Sequence, residues 1–262
     1  MSERSARRRV LGKLGLVELK LFLRDPLTVV FSLAFPPMIL VVLGAAFGHT
    51  PASPDVWQGL QAMQFYLPAY VGLVLASVGL IALPVHVAAY RKRGILRRFL
   101  ASPVPVSGLL AAQLMVALVI GAVGCTVVVV LGLAGYDVHG PRQVPALLLT
   151  YLVCALFFAS AGCLLGTVLP SVRAAQGLGM LLFFVMLFLG GTSPPLEVFS
   201  GVLRRVSDVL PLTRAVYALL DPWVGRGLNV PEVLGLAAGA VLTAAASLWL
   251  LAGRPLPRRR QG

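Results

Sequence analysis

The chain has 262 residues, of which 58% are apolar and only 12% charged, and its net charge is +13. Soluble domains carry about 25% charged residues, so this composition excludes an ordinary soluble domain and points to an integral membrane protein. The positive charge sits in short clusters at the ends of apolar runs, without aromatic interleaving, which argues against a nucleic-acid surface.

Residues 1–9 form a basic lead. In the stretch 10–25, Val10, Leu14, Val17 and Leu21 recur at helical spacing, while Lys13, Glu18, Lys20 and Arg24 fall largely elsewhere. This pattern predicts a helix lying in the membrane interface, apolar face down. No small-residue cleavage site follows a short apolar core, so no removable signal peptide is expected. Arg24-Asp25-Pro26 ends this helix, and Pro26 suits the first turn of the next one.

A first span is expected at about 27–47, with a bend or break at Pro36-Pro37. The loop at 48–63 contains Asp55 and no Lys or Arg, which places it outside. Trp57, Tyr66 and Tyr70 are expected at headgroup level. The second span, about 64–89, brings His86 to the inner interface as a solvated histidine.

A basic island then runs from Tyr90 to Val106 and holds Arg91, Lys92, Arg93, Arg97 and Arg98. Such a loop faces the cytoplasm. Gly94 to Ala101 has the length of about two helical turns, with Ile95, Leu96 and Phe99 on one side, and Ser102-Pro103-Val104-Pro105 stops it. One reading is a topology anchor. The other is a docking knob for a cytoplasmic partner, which Phe99 and Leu100 favour, because an anchor needs no bulky apolar tip.

Further spans are expected at about 108–134, 144–169, 174–189 and 230–252. Gly162 and Gly166 form a small-xxx-small step that permits close helix approach. The stretch 190–229 is too polar to span and too apolar for a free loop. It reads as two short helices at about 194–221 in or near the outer interface, opened by Pro194-Pro195 and divided at Leu210-Pro211. They are expected to dip partway into the bilayer and return. The fold class is therefore all-α integral membrane: a single domain, 1–262, with six transmembrane helices and both termini inside. Seventeen of the 22 Lys and Arg residues fall on the predicted inner side and five on the outer, which sets the orientation.

Several chemistries are missing from the sequence. There is no GxxxxGK[ST], no HExxH and no GxSxG. None of the nine acids is expected within a span, whereas ion-coupled carriers need a buried ionisable group. Cys125, Cys154 and Cys163 lie in apolar runs without CxxC spacing and read as packing residues. Gln113, Gln176, Thr126, Ser160, Thr167 and Thr243 are scattered polar groups within the spans, read as helix packing. No catalytic, metal or cofactor site is expected, and the chain is not expected to be an enzyme.

Four stretches, in this order, resemble the type-2 ABC transporter permeases of bacteria, in particular drug-resistance exporters related to the daunorubicin permease. They are Leu23-Arg24-Asp25-Pro26 with Phe35-Pro36 and Leu43-Gly44-Ala45-Ala46-Phe47-Gly48; the run from Arg93 to Val104; Gly190-Gly191 with Pro194-Pro195-Leu196; and Leu210-Pro211-Leu212-Thr213 with Ala218-Leu219-Leu220. The resemblance implies an elbow helix ending at Arg24, Asp25 and Pro26. It implies a coupling helix, about 92–102, that meets the partner through Arg93, Gly94, Ile95, Leu96, Arg97, Arg98, Phe99 and Leu100. It also implies outer re-entrant helices with Pro194, Pro195, Leu210 and Pro211 at their turns. The family usually has glutamates before the coupling-helix glycine and often another after it. Here Arg91, Lys92, Arg93 and Arg97 stand in those places, so an acidic partner groove would suit this chain.

The implied machine has two permease chains, identical or paralogous, and two ABC ATP-binding subunits, which supply ATP and Mg. It sits among the lipids of the bacterial cytoplasmic membrane, exports amphiphilic drug-like or lipid-like molecules, and needs no nucleic acid. Export of polysaccharide or lipid-linked glycan is the rival within the family. A partner-independent channel or carrier is the rival outside it.

Overall fold

The structure is a computed structural model that describes residues 19–20, 22–48, 50, 52, 56–92, 106–193 and 195–252. Hydrocarbon offers the backbone no hydrogen-bond partner, so apolar runs of this length must bond within themselves as helices. Six helices among the described residues are long and apolar enough to cross a membrane: Val30–Phe47, Ala62–Lys92, Leu110–Gly135, Val144–Val168, Val172–Leu189 and Val230–Leu251. The fold is all-α and membrane-spanning.

Helix α1, Pro26–Val29, starts on a side-chain cap. Thr28 donates its backbone N–H to Asp25 Oδ1 at 3.3 Å and its hydroxyl to Oδ2 at 2.7 Å, which supplies an acceptor to an otherwise orphan amide. A π-helical turn, Val30–Ala34, continues directly into α2, Phe35–Phe47. The expected break at Pro36-Pro37 is absent; the chain widens by one turn instead. Neither proline can donate to the carbonyls of Ser32 and Leu33, and the wider turn accommodates that loss. The Ser77 hydroxyl lies 3.3 Å from the Ser32 carbonyl and 2.7 Å from that of Val74.

The second span comprises α3, Ala62–Ser77, a π turn at Val78–Ala82, and α4, Leu83–Lys92. It is the axis of the protein. Its apolar window is 89% buried, against 17% to 44% for the other five. The remaining elements are α5, Val106–Gly135; α6, Val144–Val168; α7, Val172–Leu189; α8, Gly201–Val209; α9, Pro211–Val224; and α10, Val230–Ala252; of these α5, α6, α7 and α9 pack directly on the axis. Ser171 caps α7, accepting the Ala174 N–H at 3.1 Å.

Glycines let the outer helices reach the axis. A methyl at Gly162 would overlap the Gly79 carbonyl, and one at Gly179 would overlap that of Leu80. These carbonyls lie in and beside the π turn, just before Pro84, which has no N–H to give Leu80. The backbones therefore touch with no side-chain layer between them, as small residues permit in membrane helices. Helix α10 joins the bundle through α6, where the Ser160 and Thr243 hydroxyls are 2.7 Å apart.

Two expectations are corrected at the end of the bundle that carries α8 and α9. Trp57, Tyr66 and Tyr70 do not face a headgroup layer; they are buried in protein. Trp57 packs on Phe47 and Tyr66, and Tyr66 on Tyr70, with ring centroids 6.1 to 6.2 Å apart. Ring-on-ring packing around the buried axis outweighs the interfacial preference of these residues. Glu232, the third residue of the span expected at 230–252, lies in the first turn of α10, so one acid does stand within a span. It is tolerated there because it pairs with Arg214 at 3.4 Å beside a positive helix end. Near the end that carries Arg91 and Lys92, His86 is half-buried, with its ring 6.3 Å from that of Phe22.

Gly162→Ala should cost about 1–3 kcal/mol through overpacking and lower the apparent melting temperature in detergent. Gly177→Ala should be tolerated, because a methyl there meets nothing within 4 Å. Equal melting temperatures for the two variants would contradict the backbone contact.

Candidate functional site

The two ends of the bundle differ in chemistry. The end with Arg91, Lys92 and Arg173 is here named the basic end, and the other the opposite end. The predicted coupling residues Arg93, Gly94, Ile95, Leu96, Arg97, Arg98, Phe99 and Leu100 lie outside the described residues, as does most of the predicted elbow helix. What the structure describes is their anchorage. Phe22, just before Arg24-Asp25-Pro26, is buried among Val78, Ala82, Leu83, Val116 and Ala159. This seats the start of the first span on the second, third and fourth.

Arg91 carries a role beyond its charge. Its Nη1 donates to the carbonyls of Gly166, Thr167 and Leu169 at 2.9, 2.5 and 2.7 Å. These oxygens close the C-terminal end of α6, where a helix leaves carbonyls without internal partners and carries partial negative charge. Nothing in the sequence pairs Arg91 with a turn 75 residues away.

At the opposite end Pro194 lies outside the described residues, and Pro195 precedes a single 3₁₀ turn, Leu196–Val198. Helix α8 follows and rests on its polar face. Ser207, fully buried, donates to the Leu189 carbonyl. Arg204 donates to the Leu196 carbonyl at 2.7 Å and pairs with Asp208 at 3.1 Å. Val202, Val206 and Val209 project from the other side and are exposed. Leu210 breaks the helix in extended backbone, and Pro211 starts α9, where its missing N–H costs nothing. Arg214 and Arg226 find acids too, Glu232 at 3.4 Å and Asp221 at 3.7 Å. The three ion pairs described among these residues all belong to the opposite end.

Between α3, α5, α6 and α9 lies an apolar cavity of about 280 Å³, lined by Val71, Cys125, Thr126, Val129, Tyr151 and Trp223. Its polar groups are already engaged. Tyr151 donates to Leu118 O at 2.8 Å, Thr126 to Ala122 O at 2.8 Å, and Trp223 to His139 O at 3.2 Å. Thr167 and Thr243 likewise bond carbonyls of their own helices at 2.8 Å.

A membrane bundle with a buried second span and paired helices after the fifth is now joined by a sequence finding. The family described as ABC-2 type transporter matches residues 13–222. The chain belongs to the ABC-2 type transporter family. A search of curated proteins gives no match. As an ABC-2 membrane domain it is a transport subunit rather than an ATPase. Membership implies an ATP-binding partner subunit and, typically, a second permease. The match runs from the predicted elbow helix through the basic island to α9, so both candidate regions lie within the family's domain.

Ser207→Ala should leave the Leu189 carbonyl without its donor at a cost of about 1–3 kcal/mol. Amide exchange should then accelerate across 196–209 while α3 remains protected. Unchanged exchange in α8 would mean that its polar face does not hold it to the bundle.

Proposed function

We propose that this ABC-2 permease is the transmembrane subunit of a bacterial ATP-driven exporter that moves amphiphilic drug-like or lipid-like molecules out across the cytoplasmic membrane. The observation that carries this reading is the state of the polar groups around the cavity. They are spent on backbone carbonyls, which leaves an apolar wall suited to apolar or amphiphilic cargo. Trp57, Tyr66 and Tyr70, which a glycan channel would display, are buried against one another.

In this reading the basic end faces the cytoplasm with both termini. Positive loops are retained there, and three of the described arginines of the opposite end, Arg204, Arg214 and Arg226, pair with acids. Residues 93–100 form the coupling helix. Ile95, Phe99 and Leu100 enter a groove on the ATP-binding subunit, where apolar and aromatic anchors dominate binding. Arg93, Arg97 and Arg98 set orientation against an acidic rim. Two permease chains enclose the path, and ATP with Mg acts in the partner. Helices α8 and α9 form the outer rim, with the exposed valines of α8 turned to lipid.

The test is a mild-detergent pull-down of the tagged chain from a bacterial host, with mass spectrometry and an ATPase assay on the eluate. An ATP-binding subunit should co-purify. Phe99→Ala with Leu100→Ala should weaken its retention roughly tenfold or more, the loss expected for anchor residues, while leaving membrane insertion intact. Undiminished retention in the double variant would overturn the docking role.

A further inference from the structure

The second span ends at Arg91 and Lys92, directly before the segment proposed to meet the ATP-binding subunit. Arg91 binds the last turn of a different span. Its Nη1 reaches the carbonyls of Gly166, Thr167 and Leu169 within 2.5 to 2.9 Å. The two hydrogens of this one nitrogen are shared among the three oxygens, and the guanidinium keeps its charge at the end of α6.

The same two spans touch by backbone all the way to this clamp. Gly162 lies on the Gly79 carbonyl, and a methyl at Gly166 would come within 2.7 Å of both the Pro84 carbonyl and Val87 Cβ. An interface this close, backbone against backbone at the glycines with only Cβ atoms beside them, has little soft material to shear, because packed interiors transmit strain. Helix α6 is tied onward to α10 by the Ser160–Thr243 hydroxyl pair at 2.7 Å and by Phe157 against Gly239.

We propose that Arg91 is a positioning residue that locks the basic ends of α4 and α6 into one lever. A displacement delivered after Lys92 then reaches the fourth span and, through it, the sixth. This rests on the reading that an ATP-binding partner drives the segment after Lys92. In this role Arg91 acts through the end of α6 and determines which spans follow the second one.

The test uses the assembled complex with its ATP-binding subunit and needs no cargo. Spin labels are placed at Lys92→Cys with Met115→Cys, and separately at Val168→Cys with Met115→Cys. All three positions are exposed, and the native cysteines are buried. Distances are read with and without ATP and vanadate. With Arg91 present, both pairs should shift on trapping. In Arg91→Ala the Lys92 pair should still shift while the Val168 shift is lost, and Arg91→Lys should restore part of it. Arg91→Gln, which keeps an amide donor, serves if the alanine variant does not purify as a single species. A full Val168 shift in Arg91→Ala or Arg91→Gln would overturn the lever and leave the docking reading standing. A static Lys92 pair in the unaltered complex would overturn the docking reading, and the lever with it.

Discussion

The bundle depends on one constraint, the contact between backbone and backbone around Val78–Ala82 in the second span. A π turn followed by Pro84 disturbs the ordinary carbonyl ladder there. Gly162 and Gly179 bring the fourth and fifth spans directly onto the affected carbonyls. Because the second span is wrapped on nearly every side, it is the element best placed to distribute motion. The other spans keep broad faces for lipid or for a second copy, among them Leu242 and Trp249 on α10 and Leu181 and Phe188 on α7.

The two ends serve this axis in different ways. At the basic end a single arginine spends its donors on the end of α6, and Asp25 caps the start of α1. At the opposite end Arg204, Arg214 and Arg226 pair with Asp208, Glu232 and Asp221. Exposed pairs of this kind add little stability. Their consequence is electrical: they offset three positive charges at the opposite end, whereas the sequence of the basic island holds five cations and no acid.

The fold class was legible because hydropathy and charge act over whole segments. Twenty or so apolar residues bounded by arginines leave few alternatives to a membrane helix. Gly162 and Gly166 signalled a close approach, but their partners, Gly79, Pro84 and Val87, belong to a span far away in sequence. The π turns were illegible; the prolines announced a disturbance, and the surrounding packing decided that the helix would widen rather than break. The aromatic-belt rule misplaced Trp57, Tyr66 and Tyr70 because it assumes that a span faces lipid, and this one faces protein. Arg91 was read for its sign alone, since its acceptors are set by tertiary structure.

The most direct test of the account is site-specific photo-crosslinking from a photoreactive residue placed at Phe99, carried out in intact membranes of a bacterial host. The account predicts an adduct with an ABC ATP-binding subunit, formed from the cytoplasmic side. Adducts confined to lipid or to a second copy of the chain, in a protein that inserts normally, would contradict it.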